Sequence, residues 1–137
     1  MPQPSLLAVL VSAIVGMVIG ALWYSPILFG KVWMNLSGFT DKKMQEMKKK
    51  GMAVPYILNF IFILILSYVL ALFINASQAV TIMQGAIVGF FVWIGFMATL
   101  MLNSVLWEGK PVKLYILNIA YHLITVIIMS IILTVWK

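Results

Sequence analysis

Residues 56–74 read YILNFIFILILSYVLALFI, an apolar run without a charged residue. A helix needs about 20 residues to cross the hydrocarbon core of a bilayer, and this run is long enough. It does not alternate between apolar and polar residues, as the strand of a membrane barrel would. The run therefore predicts a transmembrane helix.

Three further runs share these features, and the four predicted spans lie at about 6–24, 56–74, 83–106 and 114–136. Hydrophobic residues make up 64% of the 137 residues and charged residues only 9%. A water-soluble domain of this length could not bury so much apolar surface. We therefore predict an all-α integral membrane protein with a single four-helix transmembrane domain over residues 1–137. No basic segment or small-x-small cleavage site accompanies the first run, so we expect it to be retained as a span.

Several kinds of chemistry are not expected. The chain has no cysteine, which excludes disulfides, thiol catalysis and cysteine-based metal sites. His122 is the only histidine and has no acidic neighbour in sequence, so a metal site is not expected. No nucleophile with a nearby base, phosphate-binding loop or cofactor motif is present. The sequence thus predicts no enzyme and no cofactor.

The positively charged residues lie near the ends of the predicted spans. The net charge is +6, and every basic residue is a lysine. The link between spans two and three is uncharged, whereas Lys110 and Lys113 lie between spans three and four, and Lys137 lies at the C-terminus. The lysines between spans one and two, which we expect to contact anionic lipid headgroups, are Lys31, Lys42, Lys43, Lys48, Lys49 and Lys50. The positive-inside rule then places both lysine-bearing links in the cytoplasm and both termini outside. This placement favours a lipid surface over a nucleic acid as the partner.

The long first link predicts a short helix. Thr40 is a suitable N-cap for a helix over Asp41–Lys50, and Gly51 follows it. The methionines of this segment lie mostly opposite its lysines, which is typical of an interfacial helix on an anionic leaflet. The alternative is a solvated charged segment in which Glu46 pairs with lysines one helical turn away on either side.

Two motifs occur twice. SPILFGK at 25–31 and SVLWEGK at 104–110 both fit S-x-x-x-x-G-K, and YILN occurs at 56–59 and 115–118. These motifs predict two tandem helical hairpins, residues 1–74 and 80–137, as a parallel pseudo-repeat about an axis along the membrane normal. The alternative is convergent composition at helix ends.

The repeat predicts a polar layer near the cytoplasmic ends of the spans. It aligns Asn59 with Asn118 and Tyr24 with Asn103, while His122 lies one turn, about 6 Å, beyond Asn118. The predicted binding layer consists of Tyr24, Ser25, Asn59, Asn103, Ser104, Asn118, Tyr121 and His122. The asparagines could instead form interhelical hydrogen bonds. His122 could be a hydrogen-bonded neutral imidazole, or a proton-sensitive or ligand-binding group.

Small residues recur at four-residue spacing along the first and third spans. Such rows let helices approach closely. The predicted packing positions are Ser12, Gly16, Gly20, Gly85, Gly89 and Gly95. Because four spans offer little interior, we expect a second copy to cover part of this surface, which makes the protein a homodimer.

Longer motifs resemble a known family. The segment W-Y-S-P-x-x-F-G-K-x-W at 23–33, the turn E-G-K-P at 108–111 and the stretch N-x-x-Y-H at 118–122 resemble small prokaryotic four-helix membrane proteins, catalogued as domain-of-unknown-function family 1761. The resemblance spans nearly the whole chain. It implies a four-helix fold in a prokaryotic cell membrane and supplies no activity.

Two functions remain open from the sequence. The first is a dimeric scaffold or interaction protein that uses its lysine-rich link and glycine faces. The second is a small facilitative transporter or channel-like protein with a polar cavity in the cytoplasmic leaflet. Proton-coupled exporters of this size need a carboxylate inside a span, and none of the four spans contains one.

Overall fold

The computed structural model describes residues 3–136, and these residues form helices without any strand. In chain order the helices are α1 (Leu6–Trp23), α2 (Gly30–Ser37), α3 (Asp41–Lys50), α4 (Ala53–Ser77), α5 (Ile82–Leu106) and α6 (Val112–Val135). Of these, α1, α4, α5 and α6 are long and apolar enough to cross a membrane. The predicted all-α membrane fold is thereby confirmed. Met1, Pro2 and Lys137, which belong to the predicted domain and enter the charge argument for topology, lie outside the described residues.

Local side-chain caps set where helices begin. The Ser5 hydroxyl accepts a hydrogen bond from the Ala8 amide at 3.3 Å and starts α1. Thr81 and Gln84 form a reciprocal capping box at the start of α5, with the Thr81 hydroxyl 3.1 Å from the Gln84 amide nitrogen. These bonds satisfy amide groups that the first turn of a helix leaves unpaired.

The first link contains more helix than the sequence indicated. The predicted α3 is present, and the Thr40 hydroxyl caps it by accepting from the Lys43 amide at 3.2 Å. In addition, α2 forms over a segment for which no helix was predicted. Gly38 separates the two helices with φ +74°, a left-handed conformation that glycine adopts without steric cost. The interfacial position of α3 stays a prediction.

The four spanning helices follow the cyclic order α1, α6, α5, α4. In this arrangement α6 packs against each of the other three, and its most extensive contact is with α5. Helix α1 packs against α4 and α6 and lies diagonally across from α5. Both hairpins therefore pack internally, and α6 lies at the centre of the bundle.

Glycines on α1 and α5 permit these close contacts. A Cβ added to Gly16 would collide with the Ile63 side chain, and one added to Gly20 would lie 2.8 Å from the Tyr121 hydroxyl. On α5, a Cβ at Gly89 would lie 2.7 Å from the Ser130 hydroxyl, and one at Gly85 would collide with Thr134. Ser12 is fully buried in the same α1 face. The small residues thus bring backbones together where side chains could not fit.

Helix α5 departs from regular geometry in its middle. Residues Trp93–Ala98 form a π-helical turn, an element that bends the regular hydrogen-bond pattern. Here the Trp93 indole donates to the Ile119 carbonyl at 2.8 Å, and the Tyr115 hydroxyl donates to the Ala98 carbonyl at 2.6 Å. Both bonds join α5 to α6. Gly95 lies in this turn on the outer surface, where an added Cβ would meet no atom within 4 Å.

Candidate functional site

The links at residues 24–52 and 107–111 lie at the same end of the bundle, here named the lysine end. A cavity of about 330 Å³ lies there between α2, the last turns of α5 and the first turns of α6. Its lining is unusually polar for this apolar chain. The polar and aromatic side chains that line it are Trp33, Ser37, Asn103, Ser104, Glu108, Lys110 and Asn118.

Asn118 is held in place by Tyr24. The Tyr24 hydroxyl donates to Asn118 Oδ1 at 2.7 Å. Tyr24 lies just beyond the last residue of α1, and burial raises the pKa of its phenol to about 12. The phenol therefore stays protonated at physiological pH and remains a donor. Because Oδ1 is occupied by this bond, the Asn118 amide nitrogen is the group left to donate into the cavity.

A tight turn places two opposite charges on the cavity wall. Gly109 has φ +68°, and the backbone amide of Lys110 donates to the Ser104 carbonyl at 3.0 Å. This turn brings both Glu108 and Lys110 to the cavity. Within residues 3–136, neither the Glu108 carboxylate nor the Lys110 ammonium group has an ion-pair partner.

The two predicted site serines make similar local bonds. The Ser25 hydroxyl donates to the Leu22 carbonyl at 2.7 Å, and the Ser104 hydroxyl donates to the Met101 carbonyl at 2.9 Å. Each hydroxyl group thus already donates its hydrogen bond to a backbone carbonyl three residues earlier in the chain. Ser104 still offers oxygen lone pairs to the cavity, whereas Ser25 does not line it.

Asn59 is separate from the other predicted site residues. It lies on the exposed surface of α4, and its amide donates to the Met17 sulfur at 3.2 Å. It does not line the cavity that contains Asn103 and Asn118. The structure therefore brings together the polar residues of α5 and α6 with Tyr24, and leaves the α4 asparagine outside.

Tyr121 and His122 lie deeper along α6. The Tyr121 ring contacts the Tyr24 ring at 5.3 Å between centroids, and its hydroxyl lies 3.5 Å from the Gly16 carbonyl oxygen. The half-buried His122 ring contacts Tyr121 at 4.8 Å and forms no hydrogen bond with the described residues. Neither side chain lines the cavity. The tight contact of Tyr121 with Gly20 fills the space between α1 and α6 at this depth.

A second cavity, of about 450 Å³, lies against the other side of α2. Its wall is mostly apolar, with Val32 and Leu36 from α2 and Phe29 from the position just before that helix. Lys113 is its single charged residue among those described. This cavity therefore differs in chemistry from the polar one.

Sequence reasoning missed four of the polar or aromatic residues that line the polar cavity, Ser37 among them. Trp33, Glu108 and Lys110 line the polar cavity but were not among the predicted binding residues. The signal that could have found them is their position in the motifs at 23–33 and 108–111. Six lysines predicted to contact headgroups are exposed: Lys31, Lys42, Lys43, Lys48, Lys49 and Lys50.

Comparison with known proteins adds a family but no activity. No curated protein and no solved structure matches the chain. A family model, described as a protein of unknown function (DUF1761), matches residues 7–134. The match covers the polar cavity and both of its links, together with nearly all of the four spanning helices. The chain therefore belongs to the DUF1761 family of proteins of unknown function.

Proposed function

We propose that the protein is a dimeric scaffold in the cell membrane of a prokaryote, with its lysine end in the cytoplasm and with no catalytic activity of its own. The observation that carries this proposal is the outer face of α5. This helix is the least buried span, with 17% of its apolar window buried inside the chain. Its exposed face includes Gly95, Thr99 and Asn103, which follow one another at four-residue spacing.

These residues would be a poor lipid surface and a good helix contact. A glycine offers lipid tails almost no side-chain surface to pack against, whereas a second helix can approach it closely. The Thr99 hydroxyl donates to the Gly95 carbonyl at 2.8 Å, so this polar group is already satisfied and does not oppose close packing. A second copy of α5 is the partner we expect there.

The test is dimerisation of a Gly95→Leu variant in lipid bilayers. We expect the variant to dimerise at least tenfold more weakly than the wild type, because a branched side chain blocks the close approach. The measurement is resonance energy transfer between labelled copies over a range of protein-to-lipid ratios. Ala21→Leu is the matched control, since Ala21 is also a small exposed residue on a spanning helix. An unchanged dimer in Gly95→Leu, or a wild type that is monomeric at every ratio, would overturn the proposal.

The lipid contact of the scaffold is proposed to involve α3. Lysines near an anionic surface each contribute about 1 kcal/mol to attraction. The triple variant Lys48→Gln, Lys49→Gln, Lys50→Gln should therefore lose amide-exchange protection in α3 when the protein is in anionic nanodiscs. In nanodiscs of zwitterionic lipid the variant and the wild type should exchange alike. Equal protection in both lipids for both proteins would contradict an interfacial α3.

The polar cavity favours a second candidate function, facilitative transport. A transporter must expose its polar residues alternately to both sides of the membrane. Because the chain has no cysteine, single cysteines are clean probes. Transport predicts that Asn118→Cys and Thr125→Cys react with an impermeant thiol reagent from either side. The scaffold predicts reaction of Asn118→Cys from the lysine end alone, and protection of Thr125→Cys, which is 1% exposed.

A further inference from the structure

Two unpaired opposite charges share the wall of the polar cavity. Glu108 and Lys110 are two residues apart in one turn and both line the cavity, yet they form no ion pair with each other or with another described residue. A ligand with a single charge would satisfy one of these groups and be repelled by the other. A ligand that carries both charges would satisfy both.

The anionic part of such a ligand has two donors available. The Lys110 ammonium group is one, and the Asn118 amide nitrogen is the other. Tyr24 donates to Asn118 Oδ1, and no described residue accepts a hydrogen bond from the Asn118 amide nitrogen, which is therefore available as a donor. An ammonium group and an amide together suit a phosphate, which offers several acceptor oxygens.

The cationic part has acceptors on the same wall. Glu108 supplies a carboxylate, and the hydroxyl oxygen of Ser104 has lone pairs left after donating to Met101. A primary ammonium group has three N–H donors that can use such acceptors, whereas a quaternary ammonium group has none. The Trp33 ring also lines the cavity, and an aromatic ring attracts a cation of either kind.

We propose that the polar cavity at the lysine end binds a phosphoethanolamine group, with its phosphate at Lys110 and Asn118 and its primary ammonium at Glu108. A cavity of about 330 Å³ is large enough for this group but not for acyl chains. Leu100 lines the cavity and is 65% exposed, so a lipid could keep its chains in the bilayer beside α5. The group can belong to a membrane phospholipid or to a water-soluble phosphodiester.

This inference goes beyond the scaffold role and does not require a dimer. It requires that the cavity bind the phosphoethanolamine group, and it does not require that the protein transport this group. The experiment measures lipid binding to the purified full chain in detergent by native mass spectrometry. The probes are phosphatidylethanolamine, phosphatidylcholine and phosphatidylglycerol with identical acyl chains. We expect phosphatidylethanolamine to bind about tenfold more tightly than either of the other lipids, because it alone combines a phosphate with an ammonium group that can donate hydrogen bonds.

Two charge variants and a matched control test the orientation. Glu108→Gln should weaken phosphatidylethanolamine binding about tenfold and strengthen phosphatidylglycerol binding, since Lys110 then lies in a cavity without an opposing charge. Lys110→Gln should weaken the binding of both phosphatidylethanolamine and phosphatidylglycerol. Lys113→Gln removes the same charge from the apolar cavity and should change neither. Glu108, Lys110 and Lys113 are exposed, so these variants should fold like the wild type, which a thermal melt checks.

Competition separates the two sources of the group. Displacement of the lipid by millimolar glycerophosphoethanolamine would assign the site to a soluble ligand, and retention of the lipid would assign it to the membrane. Either result supports the proposal when the Glu108→Gln and Lys110→Gln effects are present. Equal binding of the three lipids, or equal losses in Lys113→Gln and Lys110→Gln, would overturn it. These results are independent of dimerisation, which is measured with Gly95→Leu.

Discussion

Gly16 in α1 and Gly95 in α5 hold corresponding positions in the predicted repeat, but their surroundings differ. A Cβ at Gly16 would collide with Ile63 and lie 3.2 Å from the Met129 sulfur, whereas one at Gly95 would meet nothing within 4 Å. Helix α1 packs against α4 and α6 together, while α5 packs mainly against α6. Small residues at matching positions therefore mark helix faces that can pack closely. Which of these faces is packed within the chain depends on how the helices are arranged in the bundle.

The asparagines of the two YILN motifs differ in the same way. Asn118 lies on α6, which the three other spanning helices and α2 contact, and it accepts a hydrogen bond from Tyr24. Asn59 lies on the exposed surface of α4, and its amide donates a hydrogen bond to the Met17 sulfur. The hairpin formed by α5 and α6 thus contributes most of the polar cavity, and the first hairpin contributes the wall from α2 and the Tyr24 hydroxyl that holds Asn118 from outside the lining.

The largest expected effect is at the glycine pair. Gly16→Leu should lower the free energy of unfolding by about 3 kcal/mol, because the new side chain must displace Ile63 and Met129. Gly95→Leu should change it by less than about 0.5 kcal/mol, since the position is open. Unfolding by sodium dodecyl sulfate in mixed micelles, at dilutions where the protein is monomeric, measures both. Equal losses of unfolding free energy in the two variants would contradict the difference in packing between Gly16 and Gly95.

An intermediate effect is expected at the asparagine pair. Asn118→Leu removes the bond from Tyr24 and should destabilise the protein by about 1 kcal/mol, the usual scale for a hydrogen bond between membrane helices. Asn59→Leu should be neutral or slightly stabilising, because an apolar side chain suits the exposed face of α4. The same unfolding assay applies, and Tyr24→Phe should reproduce the Asn118→Leu loss. A larger loss in Asn59→Leu than in Asn118→Leu would reverse the comparison.

The smallest effect is expected at His122, the counterpart of Ile63 in the predicted repeat. Its ring is half-buried and contacts Tyr121 without forming a hydrogen bond among residues 3–136. His122→Leu should therefore change the free energy of unfolding by less than about 0.5 kcal/mol. Ile63→Ala, at the buried counterpart, should cost about 2 kcal/mol or more. A loss at His122 as large as that at Ile63 would indicate a structural role for the histidine.

Local sequence signals predicted some features well. The apolar runs located the four spanning helices, and Thr40 with Gly51 located both ends of α3. These features depend on side-chain hydrophobicity and on caps formed by residues a few positions apart. Helix α2 was missed, since it has neither a side-chain cap at its start nor a long apolar run.

The candidate site was predicted only in part. Asn103, Ser104 and Asn118 were named from the repeat and do line one cavity, whereas Asn59 was named with them and lies outside it. Trp33 was missed because α2 folds back against α6, a contact between segments more than seventy residues apart in sequence. The pseudo-repeat itself stays a prediction, and superposition of the two hairpins in an experimental structure would test it.

The sequence alone determined that the chain is a four-span helical membrane protein with most of its lysines in two of the links, because spans need only apolar length and the lysines lie outside them. The tertiary structure decided which face of each helix is inside. In a helix that is apolar all round, hydrophobic periodicity carries no such information. Rotation about each helix axis is set instead by where small residues meet a neighbour, as at Gly16 and Gly89. That rotation places Asn118 in the cavity and Asn59 at the surface.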